Sequence, residues 1–85
     1  INILDESIFE SLPRQFKVVR YHSLVLKNLP QQLRITAQTK DSYQEIMAIE
    51  HVKLPVFGVQ FHPEAILSEY GLEILENWIK KINIF

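Results

Sequence analysis

The apolar residues of this chain change their spacing near Glu69, and that change sets most of what the chain can become. Before it they fall in short runs rich in β-formers. After it Leu72, Leu75, Ile79 and Ile82 recur at steps of three and four residues with Trp78 beside them, while Glu73, Glu76, Lys80 and Lys81 lie elsewhere. The second spacing makes one face of a helix, because a helical turn takes 3.6 residues. A helix is therefore expected from Glu69 onward. Ser68 would be its N-cap, Glu69 would suit the positive end of its dipole, and Lys80 and Lys81 the negative end.

Upstream, residues 33–39 alternate apolar and polar side chains with period two, as a half-buried strand requires. Residues 45–51 and 55–61 are two further strand candidates. The link around Lys53 is too short to hold a crossover helix, so neighbouring strands here should pair antiparallel. Nearer the start, residues 16–21 and 24–26 are rich in β-formers and read as strand, polar break at His22-Ser23, strand. Asn28-Leu29-Pro30 and Lys40-Asp41-Ser42 supply turns. Asp5 is expected to cap a short helical turn over residues 6–12, which Pro13 ends. Several strands followed by a covering helix would, on periodicity alone, be classed α+β.

Composition narrows the functional classes. With 85 residues, 47% of them apolar, the chain can form at most one globular domain. A chain of this size buries only roughly 60–65% of its unfolded surface, and without cysteine it has no disulfide to compensate. It opens on Ile1 inside an apolar stretch, which reads as a cut. No apolar run approaches the ~20 residues of a membrane span. Net charge is -1, and the nine Lys and Arg are scattered in no block longer than Lys80-Lys81, so nothing marks a nucleic-acid or anionic-lipid surface. A small molecule or another protein is the expected partner, with no membrane and no nucleic acid. The default compartment is the cytoplasm, with the plastid stroma as the alternative that the Ile, Asn and Lys content raises.

The segment most informative about chemistry is Val56-Phe57-Gly58-Val59-Gln60-Phe61-His62-Pro63-Glu64. An apolar strand runs into His62, and in open α/β sheets ligands collect at the carboxyl ends of strands. Pro63 disfavours the helical region for His62 and has its own φ fixed, so an extended, stiff His-Pro-Glu backbone is expected. Residues i and i+2 then share a side, which brings the imidazole and the Glu64 carboxylate together. A carboxylate on one ring nitrogen fixes the tautomer and stabilises imidazolium, leaving the other nitrogen to move a proton. That is the acid/base half of a nucleophilic triad. The same three residues also make an ordinary turn with a solvated Glu, and alone they are a motif of low specificity.

Gly58-Val59-Gln60-Phe61-His62-Pro63-Glu64, continued by Ala65-Ile66-Leu67-Ser68-Glu69-Tyr70-Gly71, resembles the His/Glu segment of class I glutamine amidotransferases, the continuation resembling the chorismate-using members in particular. Arg20-Tyr21-His22-Ser23-Leu24 is similar to a second signature of that branch, and Ile46-Met47-Ala48-Ile49-Glu50-His51 falls between them where the family has a similar strand. The resemblance covers essentially the whole chain in order.

It implies that residues 1–85 are the C-terminal part of a single amidotransferase domain of α/β class, a three-layer, flavodoxin-like fold around a mostly parallel sheet with an antiparallel portion. This segment would supply the antiparallel strands, the strand leading to His62 and the last helix. It further implies His62 as the acid/base of glutamine hydrolysis, Glu64 as its orienting partner, and Ser23 and Leu24 as contacts to glutamine, chiefly through main-chain groups. A cysteine on a strand-to-helix elbow would be the nucleophile, placed before Ile1, so this polypeptide alone is expected to be inactive. The implied role is the ammonia-donating component of anthranilate synthase, serving a chorismate-binding synthase subunit in tryptophan biosynthesis. The alternatives are aminodeoxychorismate synthase in folate biosynthesis, or a non-catalytic interaction module. No cofactor is implied. Ala65 departs from the family, where a serine is frequent.

Other conspicuous residues read less sharply. His22, His51 and His62 are separated by 29 and 11 residues and match no zinc pattern. His22 would support the Tyr21-Ser23 turn, and His51 would lie at the surface. Ser23 beside His22 lacks the G-x-S-x-G elbow of a serine hydrolase. Trp78 and Phe85 could form a partner patch, but aromatic residues on an amphipathic helix belong more often to a core.

Overall fold

A computed structural model describes residues 1–20 and 26–82 of the chain. Four strands, β1 (Asn2–Ile3), β2 (Leu33–Gln38), β3 (Ile46–His51) and β4 (Phe57–Val59), form one sheet in the order β1-β2-β3-β4, and the helix α1 (Gly71–Ile82) follows. Every neighbouring pair is antiparallel, as the short links demand for β2–β3 and β3–β4. β2 and β3 pair from Leu33 opposite His51 to Gln38 opposite Ile46, with the register slipping twice, at Thr36 and again between Ala37 and Gln38. Thr36 drops out of the ladder with β3, and its carbonyl instead accepts the amides of Leu4 and Asp5. The irregular stretch of β2 is thus also the stretch that pairs with β1, Ile3 opposite Ala37 and Asn2 opposite Gln38.

The turn between β2 and β3 is held by Asp41. One carboxylate oxygen accepts the Thr39 hydroxyl at 2.8 Å and the amides of Tyr43 and Gln44 at 3.1 and 3.2 Å. Together these bonds hold the Asp41 carboxyl below its ordinary value, the Thr39 bond contributing most. The β3–β4 link is held by His51, whose Nδ1 accepts the amides of Lys53 and Leu54, both at 3.0 Å. His51 is half-buried, so it serves the hairpin and is not simply a surface residue.

The core gathers Ile3, Ile8, Phe9, Phe16, Ala37, Met47, Ala48, Phe61 and Ile74. Phe9 and Phe16 lie 6.1 Å apart, and Trp78 meets Phe57 edge-on at the same separation. Beside the core, Glu50 is buried but compensated: it accepts the Ser7 hydroxyl at 2.6 Å and pairs with Arg34 at 2.8 Å.

Four local expectations are corrected. The turn expected over residues 6–12 is a 3-10 turn of three residues, Ser7–Phe9, and Glu6 rather than Asp5 precedes it, with no side-chain cap. Residues 16–20 are not a strand: Phe16 exchanges main-chain bonds with Ile1, while the main-chain groups of Lys17 and Val19 bond to His62 and the loop before α1; most of the expected strand 24–26 lies outside the described residues. The strand expected over residues 55–61 is shorter, Phe57–Val59. Finally, α1 buries Gly71 and Ile74 and packs Trp78 against the core, while Leu72 is 66% and Ile79 59% exposed, with Leu75 and Ile82 exposed as well. The stripe expected to face inward faces outward, because the helix docks on the 3-10 turn through its other side. There Asn77 donates to the carbonyls of Ile8 and Glu10 at 3.1 and 3.0 Å. No helix among the described residues is long and apolar enough to cross a membrane.

Candidate functional site

β4 delivers the site. Its ladder with β3 continues to Gln60, whose amide donates to Met47, and Phe61 buries its ring in the core, so the chain reaches His62 from a fixed position. Pro63 and Glu64 then form the middle of a turn, closed by the Ala65 amide donating to the His62 carbonyl at 3.2 Å. The expected extended His-Pro-Glu backbone is thus corrected to a turn with proline in its second position, where its fixed φ is favourable. The side chains still meet: His62 Nδ1 lies 3.0 Å from Glu64 Oε2, with side-chain exposures of 34% and 64%.

The Glu64 carboxyl is held below its ordinary value, first by a hydrogen bond from its own main-chain amide and then by the His62 ring. It is therefore ionised at neutral pH and accepts the Nδ1 proton, which puts the basic lone pair of a neutral ring on Nε2. Such a pair can take a proton from one group and return it to another.

A second layer of bonds fixes the backbone beneath the pair. The His62 amide donates to the Val19 carbonyl at 2.7 Å. The Ser68 hydroxyl donates to the His62 carbonyl at 2.6 Å and accepts the Val19 amide at 2.8 Å. Glu69 accepts the Lys17 amide on Oε1 and donates its own amide to the Lys17 carbonyl, each at 2.8 Å. Ser68 and Glu69, expected as N-cap and first helical residue, instead stitch the loop to residues 17–19, and α1 begins at Gly71. Gly71 is required there: a Cβ on it would lie 1.8 Å from the Pro63 carbonyl oxygen. Arg20, at the end of the stitched segment, pairs with Glu45 and touches Met47 Sδ at 3.7 Å.

Ser23 and Leu24, expected to contact glutamine, lie outside the described residues, as do His22 and Phe85. His62 and Glu64 are brought together. Ser68, Gly71 and Arg20 fall in the segments that resemble the family, but the sequence marks no individual role for them at the site. A glycine at a helix start was the one available signal, and it marks close approach of another backbone. Among the described residues no group of three or more His, Cys, Asp or Glu could hold a metal ion.

Comparison with known proteins agrees with this arrangement. The family model described as glutamine amidotransferase class-I matches residues 1–82. The chain is 50% identical over 74 residues to anthranilate synthase component 2 of Mycobacterium tuberculosis, covering 85% of this chain and 31% of that protein. It is 49% identical over 77 residues to the aminodeoxychorismate/anthranilate synthase component 2 of Bacillus subtilis, covering 88% of this chain and 39% of that one. It superposes with a TM-score of 0.87 and 26% identity on the crystal structure of a protein described as a GMP synthase subunit from Thermoplasma acidophilum, covering 96% of this chain and 41% of the other. Sheet and helix therefore share the α/β, flavodoxin-like architecture of that class of amidotransferase. The chain belongs to the class-I glutamine amidotransferase family. It spans about a third of the length of the curated relatives it matches.

Proposed function

We propose that the protein containing this chain is the glutaminase component of anthranilate synthase, hydrolysing glutamine and passing ammonia to a chorismate-using synthase subunit for tryptophan biosynthesis. The observation that carries the reading is the 3.0 Å contact between His62 Nδ1 and Glu64 Oε2. His62 would act through Nε2, and Glu64 would hold its tautomer and balance the imidazolium charge. The chain contains no cysteine, so the attacking thiol would come from another part of the protein.

In this mechanism the thiolate attacks the side-chain amide carbon of glutamine. His62, carrying the thiol proton, gives it to the departing nitrogen, and ammonia leaves behind a glutamyl thioester. His62 then takes a proton from water as the water cleaves the thioester, returning it to the thiol and releasing glutamate. Ser23 and Leu24 would hold the glutamine.

A second reading, ammonia supply to aminodeoxychorismate synthase for folate, is favoured by the Bacillus subtilis relative, whose name joins both activities. The two are separated by the product formed with each synthase partner. The test of the chemistry is glutamate release by the full-length protein with its partner. His62→Ala should lower kcat by at least about a hundredfold, the scale of a lost general acid/base. Undiminished release would remove His62 from the mechanism.

A further inference from the structure

The loop between His62 and α1 does more than connect. Its Ser68 hydroxyl is used twice, donating to the His62 carbonyl at 2.6 Å and accepting the Val19 amide at 2.8 Å. The two partners are themselves joined by the His62 amide on the Val19 carbonyl at 2.7 Å. One hydroxyl therefore locks the backbone of the histidine to the segment that runs through Arg20 into residues 21–24. Ser68 makes no contribution of this kind to α1, whose first bond is the Ile74 amide on the Tyr70 carbonyl.

We propose that Ser68 is a positioning residue for glutamine hydrolysis, holding the imidazole of His62 and the segment leading to Ser23 and Leu24 at a fixed separation. This rests on the amidotransferase reading given above. A hydroxyl donor and acceptor working at once is needed, since an alanine here leaves the half-buried Val19 amide without its acceptor and frees the His62 carbonyl from its shorter bond. The anchors Phe61 and Glu69 remain, as does the single bond from the His62 amide to the Val19 carbonyl, so the loop keeps its course while His62 and residues 17–20 lose the second tie that fixes their separation. A displacement of about 1 Å at a reacting group is enough to cost about a hundredfold in rate.

The experiment uses the full-length protein with its synthase partner, and compares wild type, Ser68→Ala, Ser68→Thr and His62→Ala. Glutamine-dependent kcat should fall tenfold or more in Ser68→Ala, on the order of that displacement cost, with KM for glutamine rising severalfold. Synthesis from added ammonium, which bypasses the glutaminase, should stay at the wild-type rate. Ser68→Thr, which keeps the hydroxyl, should restore both glutamine parameters. Wild-type kcat and KM in Ser68→Ala, a matching loss of ammonium-dependent synthesis, or a threonine variant as impaired as the alanine would each overturn the proposal. His62→Ala separates the two levels: if it is inactive while Ser68→Ala is normal, only the role of Ser68 fails; if it is fully active, the amidotransferase mechanism itself fails.

Discussion

A glycine sets the spacing between the catalytic candidate and the helix behind it. The absent Cβ of Gly71 leaves room for the Pro63 carbonyl, and an added methyl group would sit 1.8 Å from that oxygen. The obstacle is backbone, not a flexible side chain, so it cannot be relieved by a rotamer change. Either α1 lifts away from the core, withdrawing Ile74 and Trp78, or the His-Pro-Glu turn shifts and carries His62 with it. Gly71→Ala should therefore cost about 3 kcal/mol in urea unfolding, the upper range of an overpacked site, and abolish glutamine hydrolysis in the full-length protein. Wild-type stability in this variant would mean that the close approach is not a feature of the folded chain. Glu64 behaves differently from such a steric residue. Its carboxyl is exposed and stabilised in the ionised form, so its service to His62 persists through neutral and mildly acidic pH.

Among the elements, the β2–β3 hairpin owes its turn to one carboxylate. Asp41 collects the Thr39 hydroxyl and two amides, and these bonds favour the charged form. A folded-state value below the unfolded 3.8 means that the contribution is fully present above that pH and is lost as pH falls through the lowered value. Asp41→Ala should lower the melting temperature at pH 7, and the gap from wild type should narrow as the pH is taken below 3.8, as followed by circular dichroism. A gap independent of pH would assign the effect to something other than the charge. This hairpin was legible in the sequence because its information is local: period-two alternation in residues 33–39, a turn signal at Lys40-Asp41-Ser42, and β-formers after it. Residues 16–20 misled because the partners of Lys17 and Val19 lie about fifty positions away, in Glu69 and Ser68, and a β-rich run carries no mark of whether it meets a strand or a loop. α1 was legible as a helix, but it is apolar on more than one side, and spacing alone could not choose between the Leu72 stripe and the Ile74 side. His62 and Glu64 could be paired from two positions' separation. Ser68 could not be placed, because a serine before a helix reads as a cap.

For the molecule as a whole, the outward stripe of α1 is preceded, with four residues between Leu67 and Leu72, by Ile66 and Leu67, which are 98% and 77% exposed. Exposed apolar surface of this kind drives association. The isolated 85-residue chain should therefore self-associate at micromolar concentration in sedimentation velocity, and the double change Leu72→Gln with Ile79→Gln should return it to a monomer; a monomeric parent chain would contradict this. The relatives supply a context for such a surface, since the larger part of each lies outside the matched region. The interior is organised quite differently. Asn77 ties α1 to the carbonyls of Ile8 and Glu10, 69 and 67 positions earlier, across nearly the full length of the chain. Closing so long a loop comes late in folding, because its entropy must be met before the contact returns anything. During synthesis, then, the first turn must wait unclasped until Asn77 clears the ribosome, and the core around Ile8 and Phe9 can close only as translation of this segment finishes.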